Sequence, residues 1–308
     1  MKKLLLAVAV SAAASSASAV TVYEGNGFTY KLNGDLQVQL RKEIGEDEHA
    51  DIEFDDLELK NYVSYDLGND MKAFGRVDFG FKDAAEDKQD GSKLEEAYLG
   101  LAFGNTSVSF GKQNFASDEF GIEEAYELKT VNEDRFDGMS TDGDDTIRMD
   151  IELENVYLVA SYEMDAEGED SENGEYFDLF ASTNLGDLTL AAAYQNAKEA
   201  IGADSYDTWG ISASYDAGFA TFAADYSSTD DIADLYNIAV SFPVASTTSM
   251  AIGMVNEDFD AGDDITEWYA NVTYKFPTQK NVSLFAEIAD SDEDGADMGY
   301  LAGMRVKF

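Results

Sequence analysis

The chain has 308 residues, of which 63 are acidic and 20 are Lys or Arg, and its formal net charge is −43. This balance argues against a nucleic-acid partner, because phosphate binding needs clustered Lys and Arg, and it favours cations as partners. Cysteine is absent, so neither disulfides nor thiolate metal sites can hold the fold together. We expect no cofactor and no bound metal.

The N-terminal segment has the features of a secretory signal peptide. Lys2 and Lys3 give a basic start, an apolar run covers residues 4–10, and small residues lead to the A-x-A pattern that ends at Ala19. The apolar run is too short to span a bilayer. We therefore expect cleavage after Ala19, with residues 1–19 as the signal peptide and residues 20–308 as one β-barrel domain.

Residues 30–41 carry the clearest strand pattern of the chain. Apolar residues such as Leu36 and Val38 alternate with polar residues such as Asp35 and Gln37. A period of two residues indicates a strand with one polar and one apolar face. No long apolar stretch follows the signal peptide, which excludes a helical membrane protein but leaves a membrane barrel possible.

The same alternation recurs to the end of the chain and predicts sixteen strands. The predicted strands cover residues 30–41, 57–65, 71–82, 94–103, 107–113, 146–152, 155–164, 176–184, 188–196, 206–215, 219–227, 234–242, 247–256, 265–276, 282–289 and 298–308.

The predicted connections alternate in length. Short turns follow the even-numbered strands and hold both Pro243 and Pro277, whereas long acidic loops follow the odd-numbered strands. An even number of long strands, with short turns at one end and long loops at the other, is typical of transmembrane β-barrels. The alternative is a soluble β-sandwich, whose strands also alternate, but the strand lengths and the two kinds of connection argue against it.

Aromatic residues near the predicted strand ends, among them Tyr65, Trp209 and Trp268, fit the aromatic girdles of a barrel. Tyr and Phe also favour strands in general, so each of these residues is weak evidence alone.

Four short segments share patterns with one protein family. Residues 300–308 end in a terminal Phe with apolar residues at alternate positions, and residues 96–101 contain an aromatic-x-Gly-Leu pattern. Residues 110–113 combine an aromatic residue, Gly and a base, and residues 146–149 are a basic strand segment. With sixteen strands, these segments resemble the Gram-negative trimeric porins. The resemblance implies that Phe308 is the signal for barrel assembly.

The resemblance also implies a constriction loop that folds into the barrel after the fifth predicted strand. Residues 114–145 occupy this place and contain eleven acidic residues against the bases Lys129 and Arg135. The expected acidic side of the constriction is Asp118, Glu119, Glu123 and Glu124, and the expected basic wall is Lys112, Arg148 and Arg76.

Two positions depart from the family pattern. Glu58 and Glu95 stand where the family's inward-facing ladder usually has Arg. The alternation within residues 94–103 leaves a second orientation open, in which Glu95 faces outwards to a subunit interface.

Enzymatic chemistry finds no support in the sequence. His49 is the one histidine, it lies in an acidic loop, and there is no cysteine. The sequence therefore lacks the residues from which a catalytic triad of the usual kind is built. Residues 290–295 begin like a calcium-binding EF-hand loop, but Leu301 replaces its twelfth-position Glu. Two interpretations of such acidic loops stay open. They could bind divalent cations weakly and bridge to the phosphates of lipopolysaccharide, or, more simply, they are solvated loops.

The sequence therefore predicts an all-β, sixteen-stranded antiparallel transmembrane barrel in the outer membrane of a Gram-negative bacterium. It would have short periplasmic turns, long external loops and a constriction loop folded into the pore. We expect a homotrimeric passive channel for ions and small hydrophilic solutes, with a preference for cations, surrounded by lipid and lipopolysaccharide. The alternative function is a structural, receptor or adhesion barrel with a closed lumen.

Overall fold

The computed structural model describes residues 20–308, apart from residues 87, 89, 123, 126, 127, 129, 166–173 and 201. The predicted signal peptide and its cleavage site at Ala19 lie outside the described residues.

Seventeen strands make up nearly all of the regular structure in this part of the chain. They are β1 (Val20–Gly25), β2 (Phe28–Lys42), β3 (Asp51–Gly68), β4 (Met71–Gly80), β5 (Lys93–Phe103), β6 (Thr106–Asn114), β7 (Asp142–Glu152), β8 (Val156–Glu163), β9 (Glu175–Leu185), β10 (Leu188–Lys198), β11 (Tyr206–Asp216), β12 (Thr221–Thr229), β13 (Ala233–Ala245), β14 (Thr248–Phe259), β15 (Ile265–Phe276), β16 (Gln279–Ser291) and β17 (Gly299–Lys307).

Strands β2 to β17 form a closed antiparallel barrel. Each strand pairs with the next one in the chain, and β17 pairs with β2 from Tyr300 opposite Lys42 to Lys307 opposite Asp35. This confirms the predicted sixteen-stranded barrel, in which closure leaves no strand edge unpaired.

Strand β1 was not predicted. It pairs with the first part of β2, from Val20 opposite Leu32 to Gly25 opposite Phe28. Because β17 pairs with β2 only from residue 35 onwards, β1 continues the hydrogen-bond ladder beyond the end of β17. The turn between β1 and β2 contains Asn26 and Gly27, both with positive φ (54° and 76°), which is the geometry of a tight hairpin.

The predicted strand ends agree with the structure to within a few residues at most positions, with two differences that matter. Pro243 was expected in a turn, but it lies inside β13, beside a shift in the pairing with β14 between Pro243 and Ala245. The missing N–H of proline fits such an irregularity. The constriction loop covers residues 115–141, because β6 extends to Asn114 and β7 begins at Asp142.

The two faces of the barrel differ as the alternation predicts. Large apolar side chains project outwards, for example Leu99 with 70% of its surface exposed and Phe110 with 54%. Polar side chains of the same sheet, such as Gln37 and Gln195, are buried on the inside. A short helix, α1 (Lys82–Ala85), lies between β4 and β5, and no helix in the described part of the chain is long and apolar enough to cross a membrane.

The apolar core lies inside the barrel, where the constriction loop packs on the wall. Phe115 and Phe136 of the loop are fully buried. Phe136 packs with Phe120, Val159 and Phe180 in one cluster. Further clusters join Phe115 to Tyr176, Val131 to Leu235 and Val255, and Leu128 to Phe285 and Leu301. Burying one Phe side chain contributes about 1.5–3 kcal/mol, so these contacts hold the loop within the lumen.

Candidate functional site

Arg148 of β7 fixes the beginning of the constriction loop. Its Nη1 donates hydrogen bonds to the backbone carbonyls of Asn114 and Phe115, at 3.2 and 3.1 Å. Its Nη2 lies 2.5 Å from Glu119 of the loop and 2.9 Å from Asp150 of its own strand. One guanidinium group therefore connects the barrel wall to three residues at the base of the loop.

The loop then continues along the wall formed by the strands that follow β7. Near its beginning, the backbone N–H of Ala116 donates to Ser161 Oγ of β8 at 2.8 Å. Near its end, Gln195 Nε2 of β10 donates to the carbonyl of Ser140 at 2.8 Å. Phe120 lies over Gly210 of β11, where a Cβ would come within 2.6 Å of the ring. These contacts place both arms of the loop on β8 to β11.

Wall carboxylates hold the middle of the loop. The backbone N–H of Leu128 donates to Glu287 of β16 at 3.2 Å, and that of Thr130 donates to Glu267 of β15 at 2.8 Å. Glu257 of β14 accepts hydrogen bonds from Arg135 and from Asn132, the latter at 3.1 Å. Because an irregular segment has no ladder partners, its backbone donors need such acceptors when they are buried.

The loop leaves an open cavity between itself and the part of the wall formed by β2 to β7 and the end of β17. Nine carboxylates and five basic side chains border this cavity, which gives it a formal charge of −4. The carboxylates are Asp35, Asp56, Glu58, Asp78, Glu95, Glu96, Asp118, Asp142 and Asp150, and the bases are Lys60, Arg76, Lys93, Arg148 and Lys307.

Each basic side chain at the cavity is paired with carboxylates. Arg76 lies 2.5 Å from Asp78 and 2.6 Å from Glu96. Lys307 lies 3.1 Å from Asp35. Lys60 pairs with Glu58, Lys93 with Glu95 at 3.2 Å, and Arg148 with Glu119 and Asp150. The described wall therefore presents neutralised bases and a surplus of acid.

Several of the expected constriction residues meet at this cavity. Glu58, Glu95, Arg76, Arg148 and Asp118 all border it. Glu95 is the extra residue where the pairing of β4 and β5 shifts, since Asp78 pairs with Glu96 and Phe79 with Leu94. This β-bulge brings Glu95 and Glu96 to the same cavity.

The other expected constriction residues lie elsewhere or are not described. Glu119 contacts Arg148 as described above. Lys112 pairs with Asp142 at 3.3 Å at the cavity margin. Glu124 lies across the lumen, where its backbone N–H donates to the Tyr269 hydroxyl at 2.9 Å. Glu123 falls outside the described residues.

Among the described residues of the loop, Asp118 is the carboxylate that borders this cavity. It is exposed to the lumen and accepts a hydrogen bond from Asn114 Nδ2 at 2.6 Å. Its partial removal from water inside the lumen raises its pKa to about 6. The neighbouring Glu119 raises the pKa further, while the Asn114 hydrogen bond and Arg148 oppose the rise.

The sequence did not single out the wall carboxylates that hold the loop, namely Glu257, Glu267 and Glu287. Each is at most 4% exposed and faces inwards. The period of two places them on the polar face of their strands, but many other acids share that face. Only the path of the loop distinguishes them.

Comparisons with known proteins agree on the family. The profile of the Gram-negative porins matches residues 5–296. The chain is 27% identical to porin-like protein H of Photobacterium profundum, over all of both chains. Two solved structures share the fold. One is the trimer form of in-vitro folded OmpT, an outer membrane protein of Vibrio cholerae (TM-score 0.77, 19% identity, 92% of this chain and 100% of that one). The other is an anion-selective porin from Comamonas acidovorans (TM-score 0.77, 15% identity, 91% and 100%).

The chain therefore belongs to the Gram-negative porin family, whose members are non-enzymatic diffusion channels of the outer membrane.

Proposed function

We propose that this channel prefers cations over anions. The supporting observation is the charge arrangement at the cavity, where nine carboxylates face five bases and each of those bases is already paired. An anion that enters meets no unpaired base among the described lining residues, whereas a cation meets excess carboxylate. A lumen lined by one sign of charge raises the local concentration of the opposite ion.

The fold alone does not set the sign of selectivity. The Comamonas acidovorans porin is described as anion-selective, although its fold matches this one. The sign must then come from the side chains that line each pore, which for this chain are mostly acidic.

The reversal potential in a salt gradient tests this proposal. The double substitution Glu58→Gln and Glu95→Gln removes the partners of Lys60 and Lys93, so that two bases become unpaired and the formal charge of the cavity changes from −4 to −2. We expect the wild type to show a cation-selective potential and the double variant to shift clearly towards zero. The shift should shrink in concentrated salt, because screening acts over about 8 Å at physiological ionic strength and over shorter distances above it.

A matched control is Asp260→Asn with Asp263→Asn, which removes two acids from the exposed loop between β14 and β15. Its potential should stay near that of the wild type at moderate salt. A wild-type potential of zero or of anion-selective sign would refute the proposal.

We infer further that the channel is a homotrimer embedded among lipid and lipopolysaccharide. The similarity to the trimer form of OmpT supports this, together with the apolar outer face of the barrel. Chemical cross-linking of the purified protein in detergent should give a limiting species of three chains. A limiting species of one chain would contradict it.

The closed receptor or adhesion barrel remains the alternative function. The open cavity beside the loop favours the channel. Planar bilayer recordings separate the two, because a closed barrel passes no steady current.

A further inference from the structure

Two buried polar side chains on neighbouring strands have no hydrogen-bond partner among the residues that the structure describes. They are Asp225 of β12, which is 7% exposed, and Asn237 of β13, which is fully buried. Both carboxylate oxygens of Asp225 and both polar atoms of the Asn237 amide are unpartnered. The two residues stand directly opposite each other in the β12–β13 ladder. Side chains of such a pair have Cβ atoms about 5 Å apart, so both face one small space inside the barrel.

Such an arrangement is costly unless something occupies the space. An unsatisfied buried polar group costs about 1–3 kcal/mol, and a charged group costs more. The surroundings offer Asn237 no help, since Leu235 and Ala239 flank it on its own strand and Val255 stands opposite it on β14.

The constriction loop brings a further carboxylate, that of Asp134, into the neighbourhood of Asp225. Asp134 is 4% exposed and lies close enough to Asp225 for its charge to act on that carboxylate. Its Oδ1 accepts the backbone N–H of Phe136 at 2.8 Å, while its Oδ2 points towards Gly121, 3.1 Å from the position of a Cβ there. The backbone N–H of Ile122 also faces the Asp225 carboxylate.

The base that follows Asp134 in the chain does not neutralise this pair of carboxylates. Arg135 follows Asp134 in the chain, but its guanidinium group is committed to Glu257 and to Thr229 Oγ1, the latter at 3.4 Å. Among the described residues, the space therefore has two acids and an amide but no cation.

We infer that Asp225, Asn237 and Asp134 form a binding site for one calcium-like divalent cation between the constriction loop and the wall. Carboxylate and amide oxygens are the ligands that Ca²⁺ prefers, and its flexible coordination tolerates ligands from a loop and a sheet. Two carboxylates balance its charge. Mg²⁺ fits less well, because it demands near-octahedral geometry and retains its water. The bound ion would join Asp134 of the loop to β12 and β13, away from the open cavity beside β2 to β7.

Isothermal titration calorimetry of the purified, EDTA-treated protein at constant ionic strength tests the site with Ca²⁺ as the probe. We expect one saturable site per chain in the wild type. Asp225→Asn should weaken its affinity about tenfold or more, because ligand charge sets the affinity of calcium sites. Asp134→Asn should do the same, and this second variant lies in a loop outside the barrel ladder, so barrel assembly does not depend on it.

The control Asp260→Asn removes an acid from an exposed external loop and should leave the saturable site unchanged. Three results would overturn the inference: no saturable Ca²⁺ binding in the wild type, equal binding in the wild type and both site variants, or loss of binding in Asp260→Asn. The first result would indicate that Asn237 rotates to donate directly to Asp225, and the last would place the ion in the external loops.

Discussion

Arg148 and Lys112 illustrate how two bases on neighbouring strands differ in their roles. Both were expected to form the basic side of the constriction. Arg148 is buried and makes its contacts with the loop backbone, Glu119 and Asp150, whereas Lys112 forms a single, more exposed pair with Asp142. Exposed ion pairs contribute about 0–1 kcal/mol, and hydrogen bonds to buried charges contribute about 1.5–3 kcal/mol each. Arg148 therefore anchors the loop, and Lys112 contributes little to its position.

The titration of Asp118 predicts a pH-dependent selectivity. Since its pKa is raised to about 6, this carboxylate becomes protonated as the pH falls from about 7 to about 5. The lumen loses negative charge over this range, so we expect the cation preference to weaken. Asp118→Asn should show weaker preference at neutral pH and a smaller change with pH. Reversal potentials measured across this range provide the test.

The raised pKa of Asp118 also makes the stability of the docked loop depend on pH. The direction of this dependence is opposite to that produced by an acid in a salt bridge. An acid with a raised pKa binds its proton more tightly in the folded protein than in the unfolded chain. Asp118 therefore favours the docked loop at low pH, and this contribution disappears as the pH rises through about 6. If the stability of the docked loop depends on pH in Asp118→Asn as it does in the wild type, another titrating group causes the effect.

At the scale of single elements, alternation located the strands well but not their irregularities. The period of two identified each strand from β2 to β17, because one face of each is apolar and the other polar. It missed β1, a strand of six residues. The Asn26-Gly27 pair before Phe28 was the available signal, since Asn-Gly between two extended segments is a strong hairpin indicator. It could not reveal the bulge at Glu95, which depends on the pairing of β5 with β4.

The path of the constriction loop was also beyond the sequence. Its place between β6 and β7 followed from the resemblance, but its partners did not. The loop is held by an apolar cluster and by inward carboxylates of β14 to β16, residues that are more than 100 positions away in the chain. Such contacts depend on the closed barrel as a whole.

Phe136 provides a test of what fixes the loop. It is fully buried against Phe120, Val159 and Phe180. Phe136→Ala should cost about 3–5 kcal/mol of packing, as is usual for a buried Phe. We expect the loop to loosen while the barrel stays assembled, because the ladder does not involve this residue. Single-channel recordings should show larger and noisier currents.

The matched control for Phe136→Ala is Phe110→Ala, a change on the outer face of β6 where the side chain is 54% exposed. It should leave single-channel conductance and noise unchanged. Equal behaviour of the two variants would mean that the hydrogen bonds of the loop, rather than its apolar cluster, fix its position.

At the scale of the whole molecule, β2 joins both ends of the described chain. β17 and β1 occupy successive parts of the same edge of β2, so closure depends on where β17 ends. Phe308 marks that point. Its backbone exchanges two hydrogen bonds with Gly34, at 2.9 and 3.0 Å, and its half-buried ring lies over the same residue. A Cβ at Gly34 would overlap the ring.

This contact predicts that Gly34 and Phe308 act together in assembly. Gly34→Val should displace the Phe308 ring and lower the yield of heat-modifiable barrel, as deletion of Phe308 should also do. Because both changes disturb the same contact, combining them should lower the yield little more than either one alone, since contacting residues are not additive. Gly303→Ala offers a comparison within β17, where a Cβ would meet the Phe285 ring and not Phe308. Its effect should add to that of the Phe308 deletion. Normal assembly of both Gly34→Val and the Phe308 deletion would show that closure of the barrel does not depend on this contact.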